Sequence, residues 1–177
     1  MKIPIGEYCI RSYLRTDKDS IAKYANNLNV SKNLRDRFPN PYTIEDAEEW
    51  LAFACTQNPE LSFAIANDDE LIGAIGLDPQ EDVYRFSAEI GYWLAEPFWG
   101  KGIAVDALIS LTNYAFTNFN FNRIFAGVFE NNLASAKVLE KAGYKKEGIL
   151  RKAVFKEDKF QNQIMYSILK EEIVIIR

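Results

Sequence analysis

The 177-residue sequence contains no histidine, which excludes an imidazole base and a histidine-bound metal. Its two cysteines, Cys9 and Cys55, have no neighbour at metal-ligand spacing, so we expect neither a zinc site nor a disulfide. No apolar run reaches the ~20 residues needed to cross a membrane, and the N-terminus does not resemble a signal peptide. These absences predict a cytoplasmic protein without a metal, whose general base is a carboxylate, a water or a tyrosine.

Internal repeats, low-complexity tracts and glycine/serine linkers are also missing. The hydrophobic fraction of 48% and the charged fraction of 26% are typical of a soluble globular protein. We therefore expect a single domain over residues 1–177. The formal net charge of −4 argues against a nucleic-acid partner, but it fits a neutral or basic partner of any size.

The hydrophobic pattern predicts strands and helices in mixed order. Alternation and short apolar runs predict strands over Tyr8–Leu14, Leu61–Ala66, Glu70–Leu77, Arg85–Leu94, Ile124–Val128, Lys145–Phe155 and Gln161–Leu169. Steps of three and four predict helices from Thr16 to Leu28, Ser31 to Arg37, Thr43 to Thr56, Gly102 to Phe119 and Asn132 to Ala142. This order predicts an α+β or layered α/β fold with one mixed sheet.

The most informative segment joins the strand that ends at Leu94 to the next helix and carries two glycines, Gly100 and Gly102. Glycines let backbone N–H groups approach an anion, and the N-terminus of the following helix favours negative charge. A phosphate or pyrophosphate would fit such a turn. The alternative is a tight turn that needs glycine only for its positive φ.

Three phosphate-binding patterns can be compared with this segment. A P-loop fails because Ile103 follows Gly102 where a lysine is needed, and a dinucleotide fingerprint fails because Val105 replaces its third glycine. The pattern [RQ]-x-x-G-x-[GA] fits from Gly102 to Ala104, with Trp99 in place of its first residue.

The strand and turn together resemble motif A of the GNAT superfamily of N-acetyltransferases, in Ser87–Leu94 followed by Trp99–Ala104. The segment Val128–Tyr144 is similar to motif B of that superfamily, and the similarity extends over Glu70–Leu169. Asn33–Pro39, with Tyr42 and Asp46-Ala47, further resembles the Rim-type branch that acetylates the N-termini of ribosomal proteins.

The resemblance implies a mixed, mostly antiparallel sheet that is splayed at its centre, with helices on both faces. It implies acetyl-CoA as co-substrate, no metal, and an amine acceptor that is either a small molecule or a protein N-terminus. It implies no nucleic-acid or membrane partner, and a monomer or homodimer. A non-catalytic acyl-CoA-binding or sensor module on the same fold is the alternative.

The resemblance also assigns residues to the cofactor. Backbone N–H groups after Trp99 would hold the pyrophosphate, the Trp93 and Leu94 backbones would pair with the pantetheine arm, and two lysines would meet the 3′-phosphate. The implied cofactor-binding residues are Trp93, Leu94, Trp99, Gly100, Lys101, Gly102, Ile103, Ala104, Asn132, Ser135, Lys137 and Lys141. For Asn132 a helix N-cap is the alternative, and for the lysines a solvated helix face. Gly91 suggests a bulge or a close backbone approach within the strand.

The acceptor side is implied to include Arg35, Phe38, Tyr42 and Tyr84, although ordinary helix packing also explains Phe38. The acceptor amine must be neutral to attack a thioester. An α-amino group with a pKa of about 7.7–8.0 is partly neutral at pH 7, whereas a lysine amine has a pKa of about 10.4.

With no histidine present, Glu89 acting through a water is the candidate base, and relatives carry a glutamate there in that role. A solvent-facing glutamate or one paired with Arg85 is the alternative. Ser135 would protonate the departing thiolate, since Leu139 holds the place of the tyrosine acid of many relatives. Neither motif contains a cysteine, which favours direct transfer in a ternary complex.

Overall fold

The computed structural model describes residues 1–173, so the last four residues of the predicted 1–177 domain lie outside the described residues. The described chain contains eight strands and five α-helices. The strands are β1 (Lys2–Ile5), β2 (Tyr8–Arg11), β3 (Ser62–Ala66), β4 (Leu71–Pro79), β5 (Ser87–Leu94), β6 (Arg123–Phe129), β7 (Lys145–Lys156) and β8 (Lys159–Leu169). The helices are α1 (Lys18–Ala25), α2 (Leu28–Ser31), α3 (Ile44–Ala54), α4 (Ile103–Asn118) and α5 (Leu133–Lys141).

The strands form one sheet in the order β1-β2-β3-β4-β5-β6-β8-β7. The pairs β1–β2, β2–β3, β3–β4, β6–β8 and β7–β8 are antiparallel, and β5 pairs parallel with β6. The prediction of a mixed, mostly antiparallel sheet is confirmed. The chain divides into two compact units, Met1–Gly76 with Tyr92–Ala107, and Leu77–Gly91 with the residues from Leu108 onward. Whether all 177 residues act as one domain stays a prediction.

The first unit is built on a core between its helices and strands. The buried core residues are Tyr13, Ile21, Ala25, Tyr42, Ala47, Leu51, Ala54, Ala64, Leu71 and Ala74. The predicted start of α3 is confirmed, because the Thr43 hydroxyl accepts from the Asp46 N–H (3.2 Å) and the Asp46 carboxylate accepts from the Thr43 N–H (2.8 Å).

The predicted helix over Ser31–Arg37 is wrong, because the helical turn in this region, α2, ends at Ser31. The side chain of Asn27 accepts from the Asn29 N–H at 2.8 Å and starts the helix earlier than expected. Leu28 consequently belongs to this second helix and is 59% exposed, rather than completing the buried stripe of α1.

The second unit has its own core, to which β6, α5 and the larger part of α4 contribute buried residues. Its buried apolar residues include Leu108, Leu111, Ala115, Phe116, Ile124, Ala126, Val128, Leu139, Tyr144, Tyr166 and Ile168. The predicted end of α5 is confirmed, since Gly143 follows the helix at φ +90°. The two strands predicted at the end of the described chain are also confirmed, as β7 and β8, and they pair as a hairpin.

A buried hydrogen bond joins two elements of the second unit. The Thr112 and Tyr144 hydroxyl oxygens lie 2.7 Å apart, and both residues are at most 3% exposed. The bond ties α4 to the residue that leads from α5 into β7. A buried hydroxyl that loses its partner costs about 1–3 kcal/mol.

We expect Tyr144→Phe to lower the free energy of unfolding by about 1–2 kcal/mol, because it leaves the Thr112 hydroxyl buried without this partner. Thr112→Val should cost a similar amount, and the double variant should cost less than the sum. Urea unfolding of the four proteins measures the coupling. A coupling energy of zero would show that the bond contributes nothing.

Candidate active site

The turn between β5 and α4 requires glycine for its backbone conformation. Gly100 has φ +77° and Gly102 has φ +82°, values that residues with a Cβ rarely adopt. A Cβ atom at either position would meet no atom within 4 Å. The requirement therefore comes from the left-handed backbone and not from packing, and the turn faces open space.

The same turn presents unused backbone donors. Among the hydrogen bonds formed by residues 1–173, none uses the N–H groups of residues 100–104 as donors. The first helical N–H groups that do bond are those of Val105 and Asp106, which both reach the Gly102 carbonyl, at 2.9 and 3.1 Å. Consecutive N–H groups at a helix N-terminus form an anion site.

Two side chains of the turn are held against its own residues. The indole N–H of Trp99 donates to the Leu94 carbonyl at 2.7 Å. The ammonium of Lys101 lies 5.1 Å from the centre of the Phe98 ring, within cation–π range. The turn therefore carries one exposed positive charge beside its backbone donors.

The last residues of β5 point their backbone groups to alternate edges. The Trp93 carbonyl faces β4, since a Cβ atom at Gly73 would lie 2.5 Å from it. The Ala95 N–H also faces β4 and donates to Ile72 at 2.8 Å. Successive residues of a strand alternate in direction, so the polar groups of Leu94 point away from β4. This orientation favours Leu94 over Trp93 as a backbone partner for a ligand.

The parallel ladder of β5 with β6 is short. Its register covers Ser87–Glu89 opposite Arg123–Phe125, although β5 continues to Leu94. The pairs of β5 with β6 thus end at Glu89, two residues before Gly91, and the splay near Gly91 stays a prediction. Of the two expectations for Gly91, the close approach of another segment of the protein is wrong, because a Cβ atom there would meet nothing within 4 Å. The bulge stays a prediction.

An aromatic group surrounds the Trp93 side chain within the first unit. The Phe38 ring lies 5.9 Å from the Trp93 ring and 5.0 Å from the Tyr42 ring, and Tyr42 is buried. Burial, with a smaller effect of Asp46, raises the pKa of Tyr42 to about 12. Tyr42 therefore stays protonated at neutral pH and cannot serve as a general base there.

Arg35 and Tyr84, the other two residues predicted on the acceptor side, are both exposed. Tyr84 ends a 3-10 turn between β4 and β5 and is 69% exposed. Glu89, the predicted base, is half-buried in the second unit. The structure thus brings Phe38, Tyr42 and Trp93 together.

The start of α5 in the second unit contains the predicted motif B residues. The Asn132 side-chain oxygen accepts from the Ser135 N–H at 3.1 Å, so Asn132 is an N-cap. This bond uses the side-chain oxygen of Asn132 and not its amide NH₂ group. Ser135 is half-buried, and Lys137 and Lys141 are exposed.

Leu139, at the place of the tyrosine acid of other family members, is fully buried. The nearby Tyr144 hydroxyl is bound to Thr112 in the core, so it does not take over that place. Within α5, Ser135 is the hydroxyl that can donate a proton.

A network that precedes α5 was missed by the sequence analysis. Both carboxylate oxygens of Glu130 accept from Asn162, one from its backbone and one from its side chain, each at 2.8 Å. The Asn162 side-chain oxygen accepts from the Lys152 N–H at 2.9 Å, in a bulge of β7. No local pattern reveals such a network, because Glu130 and Asn162 are far apart in the chain.

Other kinds of site receive no support from residues 1–173. No group of three or more cysteine, aspartate or glutamate side chains is placed to hold a metal ion there. No helix in this range is long and apolar enough to span a bilayer. Cys9 and Cys55 are both free thiols.

The fold and the turn together define a class of protein. A mixed sheet whose central strand leads through a left-handed glycine turn into a helix N-terminus is suited to bind the diphosphate of a nucleotide-type cofactor. A sequence model described as "Acetyltransferase (GNAT) domain" matches residues 8–145. The chain belongs to the GNAT acetyltransferase family.

Individual relatives agree with this assignment. The "Uncharacterized N-acetyltransferase p20" of Bacillus licheniformis is 38% identical over 116 residues, which cover 66% of this chain and 65% of the relative. The "Ribosomal-protein-serine acetyltransferase" of Escherichia coli K12 is 33% identical over 59% of this chain and 58% of the relative. The chain thus matches less than two thirds of the length of either relative.

A solved structure agrees over nearly the whole chain. The spermidine N-acetyltransferase from Vibrio cholerae, in complex with CoA and spermine, superposes with a TM-score of 0.78 and 26% identity. The match covers 94% of this chain and 97% of that protein.

We expect Gly102→Ala to lower the free energy of unfolding by about 1–2 kcal/mol, because alanine disfavours a left-handed backbone. Gly148→Ala is the matched control, since its Cβ also meets nothing within 4 Å but its φ is not positive. Denaturant unfolding compares the two variants. Equal stability of the two would contradict the backbone explanation.

Proposed function

We propose that the chain is an acetyl-CoA-dependent N-acetyltransferase that transfers an acetyl group directly to a primary amine in a ternary complex. The observation that carries the proposal is the row of N–H groups at residues 100–104, which no acceptor within residues 1–173 occupies. The coenzyme A pyrophosphate is an anion of the kind that such a row binds. Membership of the GNAT family supports this choice of cofactor.

The cofactor residues are proposed as follows. The N–H groups of the turn bind the pyrophosphate, and Lys101 adds positive charge beside it. The Leu94 N–H, directed away from β4, donates to a carbonyl of the pantetheine arm, since the Leu94 carbonyl already accepts from the Trp99 indole. The NH₂ group of Asn132 donates to another pantetheine carbonyl while its oxygen caps α5. Lys137 and Lys141 meet the 3′-phosphate.

The acceptor is a small amine or a protein N-terminus. Phe38 and Tyr42, packed at the Trp93 ring, form a neutral aromatic wall on the acceptor side, with Arg35 and Tyr84 as exposed contributors. Relatives named for either acceptor class resemble this chain, the ribosomal-protein-serine acetyltransferase in sequence and the spermidine N-acetyltransferase in structure. Both classes present an amine that must lose a proton before it attacks.

The chemistry is a single acyl transfer. Glu89 accepts the proton of the acceptor ammonium through a water, and the neutral amine nitrogen bonds to the acetyl carbon. The carbon–sulfur bond then breaks, and the new amide nitrogen releases its excess proton to water. Ser135 or water protonates the thiolate, which with a pKa of about 8.5 needs little help to leave. Most of the acceleration comes from holding the amine and the thioester in line.

Two measurements test the proposal. Calorimetry should detect binding of coenzyme A to the wild type, and acetyl-CoA should release free thiol when a panel of α-amino peptides, spermidine and lysine is supplied. Binding without thiol release for any amine would favour the sensor alternative, which the buried Leu139 in place of a tyrosine acid would then explain. No binding of coenzyme A would refute both functions.

We expect Glu89→Gln to reduce kcat by about 100-fold and to shift the acidic limb of the kcat/KM profile, because glutamine cannot accept a proton. Glu81→Gln is the matched control, in the turn that precedes β5. An unchanged pH–rate curve in Glu89→Gln removes Glu89 from the mechanism, and a shift in Glu81→Gln instead identifies Glu81 as the base.

A further inference from the structure

The residue before the glycine turn has an unusual side chain for this position. Trp99 stands where the pattern has arginine or glutamine, and its indole N–H donates to the Leu94 carbonyl at 2.7 Å. The bond reaches back over five residues, from the start of the turn to the last residue of β5. Arginine, glutamine and tryptophan differ in shape and charge, but each carries a side-chain N–H donor.

The bond closes a small folded segment. Within it the Phe98 N–H donates to Ala95 at 2.9 Å and the Trp99 N–H donates to Glu96 at 3.1 Å, which forms a single 3-10 turn. Such a turn is too short to hold its geometry alone. The indole bond fixes its far end to the strand, directly before Gly100.

The exposure of the Trp99 ring argues against a role in packing. Trp99 is 44% exposed, so much of its apolar surface stays in water. A tryptophan kept only for packing would be buried more completely. The indole N–H of Trp99, by contrast, has a defined partner, the Leu94 carbonyl, which points away from β4.

We propose that Trp99 is a positioning residue for coenzyme A: its indole N–H, bound to the Leu94 carbonyl, holds the N–H groups of residues 100–104 in the arrangement that receives the pyrophosphate. Position 99 therefore requires a side-chain N–H donor rather than a positive charge or an aromatic ring. The inference rests on the proposed function, because it concerns the same cofactor site.

Three variants separate the donor from the ring. Trp99→Phe keeps an aromatic ring without a donor, Trp99→Leu lacks both, and Trp99→Gln restores a terminal N–H donor without a ring. A net hydrogen bond contributes about 0.5–1.5 kcal/mol. We therefore expect Trp99→Phe and Trp99→Leu to weaken coenzyme A binding about fivefold by calorimetry, whereas Trp99→Gln stays within about twofold of the wild type.

The kinetic constants distinguish positioning from general damage. In Trp99→Phe and Trp99→Leu the KM for acetyl-CoA should rise about fivefold, while kcat at saturating acetyl-CoA changes less than about twofold. Amide hydrogen exchange of ligand-free protein gives an independent readout. Exchange at Phe98 and Trp99 should be faster in Trp99→Leu than in the wild type, and close to wild type in Trp99→Gln.

The outcomes separate this inference from the proposed function. If the wild type binds coenzyme A and Trp99→Phe binds it equally well, the inference is wrong and the function stands. If Trp99→Gln binds as weakly as Trp99→Leu, the ring and not the donor matters, and the inference is also wrong. If the wild type binds no coenzyme A, the proposed function fails, and the inference fails with it.

Discussion

The candidate site depends on a left-handed backbone at two glycines. Gly100 and Gly102 turn the chain so sharply that the N–H groups of five consecutive residues find no acceptor within residues 1–173. Unsatisfied donors at a helix N-terminus are stable only where water or an anion meets them. The open space around both glycines allows such an anion to approach, so the geometry of the backbone gives the turn its chemistry.

Hydrogen bonds from uncharged side-chain donors hold the residues that precede the turn. Trp99 ties the turn back to Leu94 through its indole, and the Glu96 carboxylate is held by the side-chain amides of Asn27 and Asn29. These bonds lower the pKa of Glu96. Glu96 precedes Gly100 by four residues, and a carboxylate near an anion site is unfavourable unless it is compensated. The side-chain amides of Asn27 and Asn29 compensate this charge by donating hydrogen bonds to the carboxylate.

Much of the fold could be predicted because the hydrophobic periods are clear. The order of the strands from β2 onward, the start of α3 at Thr43 and the end of α5 follow from local rules, and the structure confirms them, whereas β1 was missed. The helix expected over Ser31–Arg37 was wrong because Asn27 competes as an earlier cap. The role of Gly91 was misjudged because a glycine in a strand does not reveal whether another chain segment approaches it.

For the site, the sequence by itself determined the types of residue: two glycines before a helix, an asparagine cap, a chain without histidine. Their roles as turn and cap residues can be recognised from local spacing, since turns and caps are formed by residues that are neighbours in the chain. Only the tertiary structure decided that the Trp93 carbonyl faces β4 and that Glu130 is held by Asn162. Those contacts depend on which edge a strand presents and on which distant segment packs beside it, and no local pattern encodes either.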